Sequence, residues 1–114
     1  METTQENRRK GKMEELIRRV AAMFIEIEAT SNPLISVTRV MVDDRMKKAD
    51  IFVSVLPNNK ETDVVNFLHR KRPEFREYLQ KNMRSRVVPH IDFLIDSGEK
   101  NRQRIEELSH EKIN

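Results

Sequence analysis

The chain has no cysteine and no tryptophan, only two glycines, and six aromatic residues (five phenylalanines and one tyrosine) in 114. Without cysteine, neither a disulfide framework nor a thiolate metal site can form, which fits a reducing compartment and predicts a cytoplasmic protein. The two glycines, Gly11 and Gly98, stand far apart, so no glycine-rich loop is available to cradle a phosphate. With so few aromatics, base stacking contributes little to any nucleic-acid contact, leaving backbone electrostatics and shape. No apolar run approaches the roughly 20 residues that span a bilayer, and the charged N-terminus METTQENRRKGK lacks the apolar segment of a secretory signal. The three histidines, His69, His90 and His110, show no metal-ligand spacing and read as ordinary strand or surface residues. Nothing pairs a nucleophile with a base. The expectation is a chain that binds, with no catalysis, no cofactor, no metal, no membrane and no small-molecule substrate.

What the chain has is charge. Charged residues make up 36% of it and hydrophobic ones 37%, so apolar content must be concentrated into a few periodic segments that build one core. The net charge is +3. Between Arg70 and Arg86 the cations Arg70, Lys71, Arg72, Arg76, Lys81, Arg84 and Arg86 oppose only Glu74 and Glu77, a local charge of +5 that exceeds the whole chain's. A polyanion is the expected partner, and RNA or DNA is the commonest one. A second basic group comprises Arg8, Arg9, Lys10, Lys12, Arg18 and Arg19. Arg45, Lys47 and Lys48 fall in a turn, where lysines routinely protect sheet edges.

Periodicity gives the elements. Residues 1–11 read as a mobile basic arm ending at Gly11. Met13, Leu16, Ile17, Val20, Ala21, Phe24 and Ile27 then recur at helical spacing, and Ser31-Asn32-Pro33 stops the helix. Leu34 to Asp43 reads as a strand whose phase slips between Ile35/Val37 and Val40/Val42, the mark of a bulge or a two-sided strand. After the polar turn Asp43 to Lys47, the run from Lys48 to Leu56 alternates with Ala49, Ile51, Val53 and Val55 on one face, and a hairpin joins the two. Asn58 and Glu61 have capping-box spacing at the start of a helix carrying Val64, Val65 and Leu68. Pro73 ends that helix and suits the first turn of the next, on which Phe75, Tyr78, Leu79 and Met83 form a stripe. Arg70-Lys71-Arg72 therefore sits on a joint between helices. A last strand is predicted from Arg86 to Ile95, with Val87, Ile91 and Phe93 in the core and Pro89 at an edge or near the strand start. The order is α-β-β-α-α-β, an α+β sandwich with a three-stranded sheet and helices on one face. The predicted organisation is the arm, a domain over residues 12–97, and a polar tail from 98 to 114.

This order resembles the type II KH domain, a single-stranded nucleic-acid-binding fold, but the GXXG loop joining two helices in that domain is absent. The chain is similar instead to the ribosome-binding factor A family, which combines the KH order with a kinked helix joint. The resemblance rests on VTRVMVDDRMKKADIFVSVL, Val37 to Leu56, with its alanine before the alternating strand, and on MRSRVVPHIDFLID, Met83 to Asp96, with Arg-x-Arg leading into a Val-Pro strand. The first helix, with its Arg-Arg pair and Ile-Glu-Ile before a proline turn, also fits, so the likeness covers Met13 to Asp96. Two departures stand out. Lys71-Arg72-Pro73 occupies the place of the family's Ala-x-Gly joint, and the turn Ser31-Asn32-Pro33-Leu34 is shorter than the family's Asp-Pro-Arg turn and lacks its arginine.

The resemblance implies a monomeric KH-like factor that binds the small (30S) ribosomal subunit and its 16S rRNA during late maturation and rRNA processing, acting by occupancy. The RNA-contacting residues it implies, together with the charge pattern, are Arg70, Lys71, Arg72, Arg76, Arg84 and Arg86 around the joint, and Lys12, Arg18 and Arg19 on the first helix. Two other readings remain open from the residues: a protein-interaction module using the sheet edge or open face, and a general single-stranded RNA binder.

Overall fold

In a computed structural model, which describes residues 4–30, 32–84 and 87–98, a hairpin forms the frame on which three helices lie. Strand β1 (Leu34–Val42) pairs antiparallel with β2 (Lys48–Leu56), and β2 pairs in parallel with β3 (His90–Ile95), giving the sheet order β1-β2-β3. Helices α1 (Thr4–Glu28), α2 (Glu61–Arg70) and α3 (Arg72–Asn82) cover one face, α1 against β1 and α3, and α2 against β3. This is the α+β, KH-like architecture read from the sequence.

The alternation in β2 performs as its period demands. Ala49, Ile51, Val53 and Val55 are all buried beneath the helices. The phase slip in β1 is a bulge: the register shifts between Val37, opposite Val53, and Arg39, opposite Phe52, so Thr38 is the extra residue. Its hydroxyl donates to the carboxylate of the buried Asp96, just beyond β3, pinning the bulge to the end of the central strand's other neighbour. Three rings lock the layers together. Phe75 of α3 lies 5.3 Å from Phe24 of α1 and 5.6 Å from Phe93 of β3, both edge-on, geometries worth about 0.5–1.5 kcal/mol each beyond the area they bury.

Four local expectations are corrected. Helix α1 begins at Thr4, so the arm predicted over residues 1–11 is helical from there on and the boundary expected at Gly11 lies inside α1. Gly11 has open space around it and costs a helix only about 1 kcal/mol relative to alanine, a cost one position in a 25-residue helix can carry. In the last turns of α1, Ile25 is buried on the side of β1, beside Ile35 and Val37, and Ile27 is 65% exposed beside Glu74, Glu77 and Lys81 of α3. Asn58 caps nothing. Residues Asn58–Lys60 form a 3-10 turn closed by Lys60 N–H to Pro57 O at 3.1 Å, and α2 starts at Glu61 with no side-chain cap. Strand β3 begins at His90, not Arg86, and Val87 is 68% exposed. Pro89 has no N–H to give a ladder, and the carbonyls of Val88 and Pro89 are bonded by the Arg76 guanidinium instead of by a strand. The polar tail expected over 98–114 lies, apart from Gly98, outside the described residues.

Glu14 fixes α1 along the hairpin by accepting the backbone N–H of Val42 at 2.9 Å. Lys10 adds an ion pair to Asp44 at 3.0 Å. These two ties carry the N-terminal half of α1 past the hairpin turn, which matters for the charged surfaces.

Candidate nucleic-acid interface

Helices α2 and α3 meet at a single residue. Lys71 has φ −89° and ψ 0°; its N–H bonds the carbonyls of Phe67 and Leu68 at 3.1 Å, and its own carbonyl accepts Phe75 N–H at 2.9 Å. One residue thus closes the first helix and opens the second. Pro73 lies in the first turn of α3, where an N–H would have no helical acceptor, so its missing donor is no loss. The joint needs no left-handed backbone, which is why a proline can stand where the resembled family keeps a glycine.

Around this joint, a cleft of about 510 Å³ is lined by His69, Arg70, Arg72, Pro73, Arg76, His90 and Ile91. Arg70 is exposed and has no carboxylate within ion-pair distance among the described residues. Arg72 faces Asp92 on β3 at 3.5 Å, and His69 shares that carboxylate at 3.6 Å while donating through Nε2 to the carbonyl of Phe93 at 3.2 Å. Asp92 thereby aligns Arg72 along the cleft. Arg76 lines the same wall, but its guanidinium is committed to the Val88 and Pro89 carbonyls.

Lys71 turns the other way. Its ammonium lies 3.1 Å from Glu74 and 3.3 Å from Glu28 at the end of α1, and the hydrogen bonds it donates to these two carboxylates, Glu74 the stronger, raise its pKa above the ordinary lysine value. It binds the joint to α1 and stays out of the cleft.

The remaining sequence-predicted cations divide. Lys12, Arg19 and Arg84 converge on a second groove, of about 690 Å³, where α1 passes the end of α3, and Arg9 joins them. Arg18 instead pairs with Glu15 one turn back, holding that carboxyl below its usual pKa. Arg86 lies outside the described residues. The sequence reading did not single out His90, which lines the joint cleft, and it grouped Arg9 with Lys12 and Arg19 without joining Arg84 to them. The helical spacing of residues 9, 12 and 19 carried part of that signal. Among the described residues no group of three histidine, aspartate or glutamate side chains is placed to hold a metal ion, and no helix is long and apolar enough to cross a membrane.

Comparison with known proteins gives a consistent likeness. The family profile described as ribosome-binding factor A matches residues 9–109. Ribosome-binding factor A of Thermosipho africanus is 30% identical over 107 residues, 88% of this chain and 84% of that one. Its counterpart from Fervidobacterium nodosum is 41% identical over 66 residues, 57% of this chain and 53% of that protein, so that match spans about half the relative's length. Among solved structures, the crystal structure of ribosome-binding factor A from Thermus thermophilus superposes with a TM-score of 0.68 at 21% identity, over 75% of this chain and 94% of the other. Thermus thermophilus ribosome binding factor A coordinates fitted into the cryo-EM map of a 30S complex superpose with a TM-score of 0.62 at 19% identity, over 69% and 86% of the two chains.

Proposed function

Because the chain belongs to the ribosome-binding factor A family, we propose that it is a ribosome-binding factor that docks on the small ribosomal subunit through the cleft at the α2–α3 joint. The observation that carries this reading is the pairing of an exposed Arg70, without an ion pair among the described residues, with an Arg72 aligned by Asp92 on one side of a single-residue helix joint. One guanidinium oriented by Asp92 and a second free to adjust beside it suit the oxygens of an RNA backbone, each capable of bidentate contact. The ligand in this reading is 16S rRNA, held in one conformation during late maturation while processing is completed. The chain acts by occupancy: it stabilises the bound RNA arrangement and makes or breaks no covalent bond.

Within the cleft the residues have separate tasks. Arg70 and Arg72 contact phosphate. Lys71 and Arg76 position them, the first by tying the joint to α1 and the second by fixing the run into β3. The likeness in fold to a protein placed in a 30S complex supports the choice of partner. Sedimentation of the protein with small subunits across a salt series tests the proposal. The expected result is co-sedimentation at low salt that falls off linearly in log–log form, by about 0.7–0.9 per phosphate contact. Protein that stays in the free fraction even at low salt contradicts it.

A further inference from the structure

The groove at the far end of α3 has a chemistry unlike that of the joint cleft. Its rim carries Arg9, Lys12 and Arg19 from α1 and Arg84 from the segment after α3. No carboxylate lines it among the described residues, and none of these four cations has an ion pair among them. The nearest cations outside the groove behave differently, since Lys10 is taken up by Asp44 and Arg18 by Glu15. Arg19 feels the field of Glu15, whose carboxylate is itself bonded to Arg18, and four like charges without an ion pair among the described residues around one depression favour an anionic occupant.

The floor is apolar and soft. Met13 and Leu16 of α1, Met83 after α3 and Met46 of the hairpin turn form it, all half-buried and packed against the edge of the core. Met46 adds an independent observation. Its φ is +55°, the only positive φ at a non-glycine position among the described residues. Glycine or asparagine adopts that conformation at lower cost. The turn is held there by Asp43, whose carbonyl accepts Met46 N–H at 2.9 Å and whose carboxylate accepts the N–H groups of Lys47 and Lys48 at 2.7 and 2.9 Å. A backbone position that favours glycine or asparagine therefore carries a methionine, and its side chain completes the floor.

We propose that this groove is a docking site for an acidic, amphipathic segment of a partner protein. An RNA strand satisfies the rim with phosphates but leaves the floor without a complement, because aliphatic and thioether side chains provide no flat surface on which a base can stack. A peptide segment with carboxylates flanking apolar side chains satisfies both, its anchors entering between the methionines and its acids meeting the arginines. Methionine suits such a floor because its unbranched, polarisable chain reshapes around different anchors. The mode is that of an amphipathic segment laid in a groove. The groove is separated from the joint by the length of α3, roughly 15 Å for its 11 residues, so the proposal does not depend on the RNA reading.

Fluorescence anisotropy with the full chain and three labelled probes tests it: a short peptide with glutamates and leucines on opposite sides of one helix, an oligoglutamate of the same charge, and a short oligouridine. The amphipathic peptide is expected to bind at least about tenfold more tightly than either control, a difference set by the floor. Met46→Asn keeps the left-handed turn and removes the thioether; it should weaken peptide binding several-fold while the unfolding midpoint holds or rises. Met83→Gln gives the same readout from the other side of the floor should the turn variant unfold. Arg19→Glu with Arg84→Glu should abolish binding, and Arg70→Glu with Arg72→Glu should leave it intact. Equal affinity for oligoglutamate, tighter binding of oligouridine, indifference to both floor variants, or no binding of the amphipathic peptide each overturns the proposal.

Discussion

The guanidinium of Arg76, on α3, donates to the main-chain carbonyl of Pro89, just before β3, and its second nitrogen reaches Val88 O at 3.5 Å. A side chain that the charge pattern assigns to RNA thus substitutes for a missing strand partner. Arg76→Ala should lower stability by about 1.5–3 kcal/mol, the range for hydrogen bonds to a charged group. Chemical denaturation measures this, and hydrogen exchange should show the loss concentrated at the start of β3. An unchanged denaturation midpoint contradicts the assignment.

Lys71 supports a second prediction, on pH. Its pKa is raised by Glu74 and Glu28, so its contribution to stability is fully present below the ordinary lysine value and is lost as pH rises through the higher folded value. Lys71→Met should unfold at a lower temperature than the parent chain at neutral pH, with the gap closing at pH above about 10.5. Because these carboxylates are solvent-accessible, the effect should be small and should shrink with added salt. A gap that persists in strong alkali contradicts the tie.

Asp43 behaves in the opposite sense. The N–H groups of Lys48 and Lys47 hold its carboxyl below the usual value of 3.8, so its stabilisation is present at neutral pH and disappears as pH falls through the depressed folded value. Asp43→Ala should therefore lower Tm at pH 7 and lose that difference in strong acid. The same variant should loosen the turn that carries Met46.

The core offers a control for all of these. Phe75 is fully buried and touches both Phe24 and Phe93, so Phe75→Ala should cost about 3–5 kcal/mol, a large share of the roughly 5–15 kcal/mol that stabilises a domain. Binding lost in that variant reports folding and says nothing of contact.

Much of the frame was readable along the chain because it depends on local periods. Ala49 to Val55 alternate and are buried in alternation; the slip between Val37 and Val40 is a bulge; Pro73 places the joint within the run Arg70-Lys71-Arg72, of which Lys71 is the joint residue. The misreadings share a cause, which is that tertiary partners decided them. Val87 has the parity of the core but lies before a proline that delays the strand, and Ile27 lies on the stripe but faces the charged side of α3. The direction of Lys71 depends on Glu28, a residue far away in sequence, at the end of another helix. The convergence of Lys12, Arg19 and Arg84 depends on how α1 crosses α3, which no spacing within either element encodes.

The central claim, that Arg70 and Arg72 meet phosphate at the joint, is tested most directly by the salt dependence of small-subunit binding in Arg70→Ala/Arg72→Ala. The log–log slope of affinity against salt should fall by about 1.4–1.8 relative to the parent chain, two contacts' worth, with Tm nearly unchanged. A slope equal to that of the parent, with folding intact, would contradict it.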